Sequence, residues 1–474
     1  MTDLAYLSAT DALELFRTGE LSPVELMTAT LERTRAVEPV VNAFAEQLTD
    51  QALVAAATAE RRYHRGDARP LEGLPVAAKE EQPMRGHLLT DGTLLREPVM
   101  ATETAIGLAR IQAHGGIVHA RTTTSEFCCM PMSHTRRWGI TRNPWNLDIS
   151  VGGSSGGSAA SLASGTTTLA TGSDIGGSLR APASLTGTIA IKPPHGRIPI
   201  AQFAGRDAFF HHGPMARTVA DAALLLRTMA GPDPRDRDSV RLPTPKPRGN
   251  DVGRLRIGFS AAPGDLPVDA EIQALTATAA LGLRATGAVV DEIEVDWRLE
   301  DVKQALWAHF GDGLARDLLA LDAARPGVIT PYALDFAHKG VHDDRHGGDG
   351  RRIAEELRHS ITSIFERYDA FLLPTVGSTG FAAGEDYVER DLTVNGVALE
   401  HFSDASLTPI FNIASAHPVV AVPSGRAANR VPTGMQVVGP AYDEPTALIV
   451  AAALEQIHPT GFTAPDRSIV ARVC

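Results

Sequence analysis

The sequence predicts an α/β fold, with a mixed β-sheet covered by helices on both faces. Two observations predict it. Segments with helical apolar spacing alternate with short β-branched or apolar runs along most of the chain, the pattern of sheets sandwiched between helices. At 474 residues, 43% hydrophobic and 21% charged, the chain also has the composition and length to bury a sizeable core.

Element by element, "LSPVELMTATLERTRAV" opens a helix with Ser22 as N-cap, Pro23 at the first helical position and Glu25 completing a capping box. Helical spacing continues at about 50–65, 103–114, 218–231, 268–286, 299–322, 349–367 and 443–457. Between these lie the strand candidates "LPVAA", "GIVHART", "TIAIK", "RLRIGFS", "AVVDEIEV", "AFLLPT" and "PVVAVPS". Pro-rich "PTPKPRGN" (243–250) reads as a surface linker, and "HKGVHDDRHGGDG" (338–350) as an exposed polar loop. Neither an internal repeat nor a convincing boundary divides the chain, so 1–474 is expected to be one domain.

Composition narrows function. With 44 basic and 56 acidic residues the formal charge is −12, which disfavours nucleic acid and anionic membrane as partners. Three cysteines, two of them the adjacent Cys128 and Cys129, make no disulfide framework and point to a reducing cytoplasm. The N-terminus lacks a signal-peptide pattern, and no stretch reaches the ~18 apolar residues of a membrane span.

The segment "VGGSSGGSAASLASGTTTLATGSDIGGSLR" (151–180) is where chemistry concentrates. Alone, its first glycine cluster reads as a flexible linker, but it runs into the helix-like "SAASLAS" and a second glycine pair. Residues 152–156 also fit G-x-S-x-G centred on Ser154, although "NPWNLDISV" is a poor strand for a nucleophile elbow. A phosphate cradle is disfavoured because no Lys follows the glycines. In "SDIGGS", consecutive N–H groups in a Gly-containing turn can form an anion nest, and beside a nucleophile such as Ser178 that nest is an oxyanion hole. A hydroxyl nucleophile needs a base, and no histidine is an obvious local partner. Lysine occurs only five times among the 44 basic residues. One of them, Lys79 in apolar "GLPVAAKE", is therefore either a snorkelling strand end or a group kept because, unlike guanidinium, it can lose a proton when desolvated.

"LEGLPVAAKE", "TRNPWN", "GGSSGGSAA", "GSDIGGSLRAPASLTGTIAIKPPHGR", "GPMARTVADAALLL" and "PTGMQVVG" follow one another in the order found in the amidase signature family of serine hydrolases, which the chain resembles over nearly its whole length. The resemblance implies the amidase signature fold, with an N-terminal helical segment to about 65, a signature core at about 66–235 and a variable specificity region at about 300–400. It also implies a Ser-cisSer-Lys triad: Ser178 as nucleophile, Ser154 as bridging serine and Lys79 as base. The 24-residue separation of the two serines matches the family and selects Ser154 over Ser155, leaving Ser155 a supporting hydroxyl. The N–H groups of Ile175, Gly176, Gly177 and Ser178 map to the oxyanion hole, and Asp174 and Arg180 to positions that hold the loop together. Neither metal nor cofactor is implied.

Departures from the family locate specificity. Glu80 follows Lys79 where many members have Asp, with altered hydrogen bonding nearby expected. "TSEFCCMPMSHTRRWGITRNPW" differs from amidotransferase subunits, which makes Cys128, Cys129, Met130, Met132 and His134 candidate substrate contacts, with plain packing the competing reading. His211 and His212 could line the same mouth or a surface loop, and the i, i+4 pair in "HKGVH" reads as solvated loop rather than metal site. The leading expectation is a stand-alone amidohydrolase, monomer or homodimer, acting on a small aryl or hydrophobic amide, with carbamates (urethanes), esters and hydrazides open as substrates. The alternative is an A-type amidotransferase component that passes ammonia to a partner. Joint retention of Lys79, Ser154 and Ser178 argues against a binding-only protein.

Overall fold

A computed structural model describes residues 3–95, 99–201, 207–242, 252–343 and 347–458. Its centre is an 11-stranded sheet, here numbered in chain order: β1 (Phe44–Gln47), β2 (Pro75–Lys79), β3 (Ile117–Thr122), β4 (Leu169–Asp174), β5 (Ile189–Lys192), β6 (His211–Ala216), β7 (Arg256–Phe259), β8 (Val289–Glu292), β9 (Ala370–Pro374), β10 (Val419–Arg426) and β11 (Pro432–Val438). The spatial order is β1-β3-β2-β4-β6-β5-β10-β11-β9-β7-β8. Strands β3, β2 and β4 pair in parallel, as do β9, β7 and β8, and the other neighbours are antiparallel, so the sheet is mixed.

Alternation along the strands explains why both faces are covered. Val76 and Ala78, Ile189 and Ile191, Ala370 and Leu372, and Val420 and Val422 pack into one core with helices Ala9–Thr18, Val219–Met229, Ala270–Gly282 and Glu444–Ile457. The intervening Ala77, Ala190 and Ala421 face a second cluster, against Ala159, Ala160 and Leu162 of helix Gly156–Ala163. Farther along the sheet, Phe371 and Leu373 pack on the same side with helix Gly347–Ile364. Lys79 is two residues beyond Ala77, so the strand's period directs it toward the helix that follows the first glycine cluster.

The expected fold class is observed, and so is the Ser22 capping box on helix Pro23–Val41. The expected strands appear at 75–79, 117–122, 189–192, 256–259, 289–292, 370–374 and 419–426. Strands β1, β4, β6 and β11 had no strand expectation; the last three have Gly, Ser, His or Pro where β-propensity asks for branched or aromatic residues. The 338–350 reading is corrected. Helix Pro331–Asp343 and helix Gly347–Ile364 run into this stretch, because buried Tyr332, Ala333, Phe336 and Ala337 continue an apolar face to Gly340, which packs on Ala315. The linker 243–250 lies outside the described residues. Among the described residues no helix is long and apolar enough to cross a membrane.

One half-buried carboxyl ties helix Glu444–Ile457 to the rest. Glu455 accepts the Val219 N–H at 3.0 Å, where helix Val219–Met229 starts. Burial first, with the charge of Asp221, pushes its carboxyl up to about 7 from the ordinary 4.5, against the lowering effect of that hydrogen bond. Between those values the folded chain holds a proton that the unfolded chain releases, so stability falls as pH rises through the window. Glu455→Gln keeps the acceptor and removes the titration. Its melting temperature is expected to drop less than the wild type's between pH 4.5 and pH 7, and parallel curves in a thermal-shift series would contradict this.

Candidate active site

Lys79 ends β2 completely buried, and its Nζ donates to Ser154 Oγ at 2.7 Å and to Ser173 Oγ at 2.8 Å. The Gly153–Ser154 peptide is cis, and Met132 backbone packs so close to Gly153 that a β-carbon there would collide with it. Next to it, Ser155 supports the turn: its Oγ donates to Ser173 O at 3.2 Å, and its N–H reaches Ser178 O at 3.1 Å. Ser178 follows the second glycine pair, 7% exposed, and its hydroxyl enters no hydrogen bond with any described residue. Lys79 and Ser154 thus meet at one end of β2, and the Ser155 bond to the Ser178 carbonyl brings the Ser178 turn alongside.

The turn between β4 and Ser178 is held from below. Asp174 accepts from Gly177 N at 2.9 Å and Leu179 N at 3.2 Å, and from Arg180 Nε and Nη2 at 2.9 and 2.8 Å. Arg180 Nη1 donates to Thr408 O and Gln436 Oε1, and Nη2 to Asn412 Oδ1. Both side chains are fully buried. Burial would raise the Asp174 carboxyl, but the Arg180 charge and hydrogen bonds, with Asn412, hold it far below the usual carboxylate range. Gly177 sits at φ +126°, and a β-carbon there would collide with Thr408 Oγ1, which itself donates to Gly176 O at 2.6 Å.

This geometry corrects the oxyanion-hole expectation at one position. The Gly177 N–H is taken by Asp174, whereas no described residue accepts from the N–H of Ile175, Gly176 or Ser178. Three donors, not four, are left unclaimed around the Ser178 hydroxyl.

In front of Ser178 lies a cavity of about 660 Å³ including its mouth, lined by Cys128, Cys129, Met130, Ile175, Gly176, Gly177, Leu306, Trp307, Phe310, Leu314, Phe336, Ser403, Ser406 and Thr408 among others. None of its lining side chains is charged. Trp307, Phe310 and Phe336 form an aromatic wall with ring centroids 5.2 to 6.4 Å apart. Cys128, Cys129 and Met130 line the cavity as expected. Burial pushes both thiols up, so they face it uncharged. Met132 and His134 do not line it. After Pro131 the chain turns away, Met132 packs with Leu185 and Phe381, and His134 Nε2 reaches Asp386 Oδ1 at 2.6 Å with its ring edge-on to Tyr332. His211 and His212 are on neither mouth nor loop; both are buried in β6. His338 and His342 stand on one helix, and among the described residues no three His, Cys, Asp or Glu side chains converge as metal ligands.

Several residues around the site had no sequence expectation. Ser173 supplies the second oxygen on Lys79, and the alternation of Thr171 and Ser173 in a buried strand was its available signal. Buried Arg121 donates through Nη2 to the carbonyls of Lys79 (3.3 Å), Glu80 (2.7 Å) and Gln82. The Glu80 carboxyl accepts the Thr90 N–H; burial, then the Asp91 charge, push it up to about 7.

The amidase family model matches residues 25–448. The acylamidase of Rhodococcus erythropolis is 32% identical, with 99% of both chains covered. The A-type subunit of the glutamyl-tRNA(Gln) amidotransferase from Synechococcus sp. (strain CC9605) is 31% identical over 96% of this chain and 97% of its own. A bacterial aryl acylamidase structure superposes with a TM-score of 0.87 at 25% identity, covering 98% of each chain.

The buried Asp174–Arg180 pair makes the next expectation direct. Arg180→Met strands a carboxylate without its counter-charge, and chemical denaturation is expected to register a loss of roughly 3–5 kcal/mol. Arg180→Lys restores charge but not the fork of donors, and should recover only part of it. A loss within experimental error for Arg180→Met would show that the pair does not hold the turn.

Proposed function

This chain belongs to the amidase family, and on that premise we propose that it is a serine amidohydrolase cleaving the C–N bond of small aryl or other hydrophobic amides through an acyl-enzyme. The observation that carries the reading is the 2.7 Å contact of Lys79 Nζ with Ser154 Oγ, beside the unbonded Ser178 hydroxyl at the floor of an uncharged aromatic cavity. Ser178 Oγ attacks the carbonyl carbon while its proton passes to Ser154, whose own proton passes to Lys79. The Ser178 hydroxyl has to rotate onto Ser154 for this, a tightening common when substrate enters a free site. Charge that develops on the carbonyl oxygen is met by the N–H groups of Ile175, Gly176 and Ser178, already oriented and worth several kcal/mol together. Ser154 then returns a proton to the departing nitrogen, and water repeats the sequence on the acyl-enzyme. Carbamates, esters and hydrazides present the same planar carbonyl to these groups.

A second reading, an A-type amidotransferase component, is favoured by the 31% identity to such a protein. Glutamine, however, brings an ammonium and a carboxylate, and burying them requires partners. The uncharged cavity lining favours an uncharged substrate instead.

A fluorophosphonate followed by peptide mass spectrometry is expected to label Ser178, and label on Ser154 in its place would overturn the assignment. Against p-nitroanilides, primary amides, aryl carbamates, p-nitrophenyl esters and glutamine, the wild type is expected to hydrolyse aryl substrates without a partner protein. Ser178→Ala should lose roughly 10³-fold or more. Turnover of glutamine alone would move the reading to the amidotransferase.

The aromatic wall yields a separate expectation. Phe310→Ala removes a buried ring from the cavity, which should raise KM for anilides by about 10-fold or more with kcat little changed. An unchanged KM would exclude this wall from substrate binding.

A further inference from the structure

Lys79 Nζ has two neutral oxygens as partners, and among the described residues no carboxylate lies within ion-pair distance of it. A base in that position must nevertheless carry a full positive charge once it has taken the Ser154 proton, in a place with no exposure to water. One carboxylate placed to answer that charge belongs to Glu81, two residues beyond Lys79. Its Oε1 lies 3.5 Å from His212 Nε2, and its Oε2 is buried without a hydrogen-bond partner.

Three adjacent strands bring these groups to one level. Lys79 ends β2, Ser173 is on neighbouring β4, and His212 is paired directly with Ser173 across the β4–β6 ladder. Phe210 packs edge-on to the His212 ring at 5.4 Å, which fixes its plane. Glu81 follows Lys79 by two residues and comes back to the same place through His212.

We propose that Glu81, held by His212, is a positioning residue for the base: its carboxylate is the fixed negative charge that stabilises the Lys79 ammonium formed when Ser154 gives up its proton. This rests on the reading of Lys79 as base given above. In that step the Ser154 O–H bond breaks and a Lys79 N–H bond forms. The electron pair left on Ser154 takes the Ser178 proton as Ser178 Oγ bonds to the electrophile. A carboxylate in direct contact would hold the lysine permanently as an ammonium. Set back from Nζ, with Ser173 as the intervening hydroxyl partner of the lysine, it lowers the cost of the charge without locking it.

The charge state of Glu81 agrees with this role. Burial alone would raise its carboxyl, but the adjoining His212 and then the Lys79 charge hold it below its ordinary value. Other titratable groups around Lys79 are Glu80 on the same segment, Arg121 from β3, Cys128 from the cavity loop and His212 from β6. Arg121 is a buried cation on the Lys79 carbonyl, so Glu81 also offsets a charge that opposes the ammonium.

The test is the rate of fluorophosphonate labelling of Ser178 as a function of pH, read by mass spectrometry in wild type, Glu81→Gln and His212→Asn. Labelling forms the Ser178 O–P bond, expels fluoride and sends the proton to Ser154 and Lys79, so it needs the base but no identified substrate. In Glu81→Gln the acidic limb is expected to move down by about one pH unit or more, because the lysine is no longer held protonated by a neighbouring charge. The plateau rate at high pH should fall, because the ammonium is no longer stabilised. His212→Asn keeps the carboxylate but removes the group that holds it, so its limb should move down less than in Glu81→Gln. The Glu81→Gln shift should persist in a Glu80→Gln background, which removes the carboxyl that titrates at about 7. An unmoved limb in Glu81→Gln, or a rate lowered equally at every pH, overturns the proposal, as does a downward shift in His212→Asn larger than that in Glu81→Gln. Absence of label on Ser178 in the wild type would instead defeat the triad reading itself.

Discussion

The Asp174–Arg180 ion pair is the constraint on which the rest of the site depends. It joins the end of β4 to the turn that presents Ser178, and it reaches Thr408, Asn412 and Gln436 in the last quarter of the chain. Two charges without exposure are tolerable only when every donor and acceptor is answered, and here the arginine fork makes five hydrogen bonds. The pair also decides which N–H groups are free. By drawing the Gly177 N–H downward, Asp174 leaves those of Ile175, Gly176 and Ser178 unclaimed. The pair therefore also sets which N–H groups of this turn stay unclaimed.

Sheet elements were legible where packing and propensity agreed. Strands such as β9 and β10 are apolar runs of the right length, and the helices on either face carry clear spacing. Strands β4 and β6 were illegible for a physical reason: "LATGSD" and "HHGPMA" give up β-propensity to place Ser173, Asp174 and His212 inside the sheet. The helix over 331–343 was hidden differently. Its buried face packs on the helical segments 299–324 just before it, while its local composition of Gly, His and Asp resembles a solvated loop.

Site legibility followed the same division. Lys79, Ser154 and Ser178 stood out because ordered motifs surround them, and Cys128, Cys129 and Met130 because their loop departs from its relatives. Met132 and His134 belong to the same loop but face away from the cavity, since a single turn at Pro131 separates lining from packing and no pattern in "CCMPMSH" announces it. Ser173 was missed because a serine next to a glycine inside a glycine-rich segment looks like flexibility. Only the approach of β2 and β4 reveals that it is a partner of the lysine.

The buried polar network and the cavity wall occupy different parts of the chain, and their physics differs. The residues that hold the Lys79–Ser154 contact and the Ser178 turn are buried polar groups in a closed hydrogen-bond network. Removing any one leaves another unpaired in low dielectric, at about 1–3 kcal/mol for a neutral group and more for a charge. Much of the cavity wall comes instead from 306–336 and 403–409, in apolar side chains and a few hydroxyls whose replacement by similar volumes costs little. The wall can therefore change shape while the hydrogen-bond network beneath it stays fixed. The absence of charge from that wall has a second consequence. With no charged side chain in the lining, the unclaimed N–H groups of Ile175, Gly176 and Ser178 are the concentrated polar feature of an otherwise largely apolar wall.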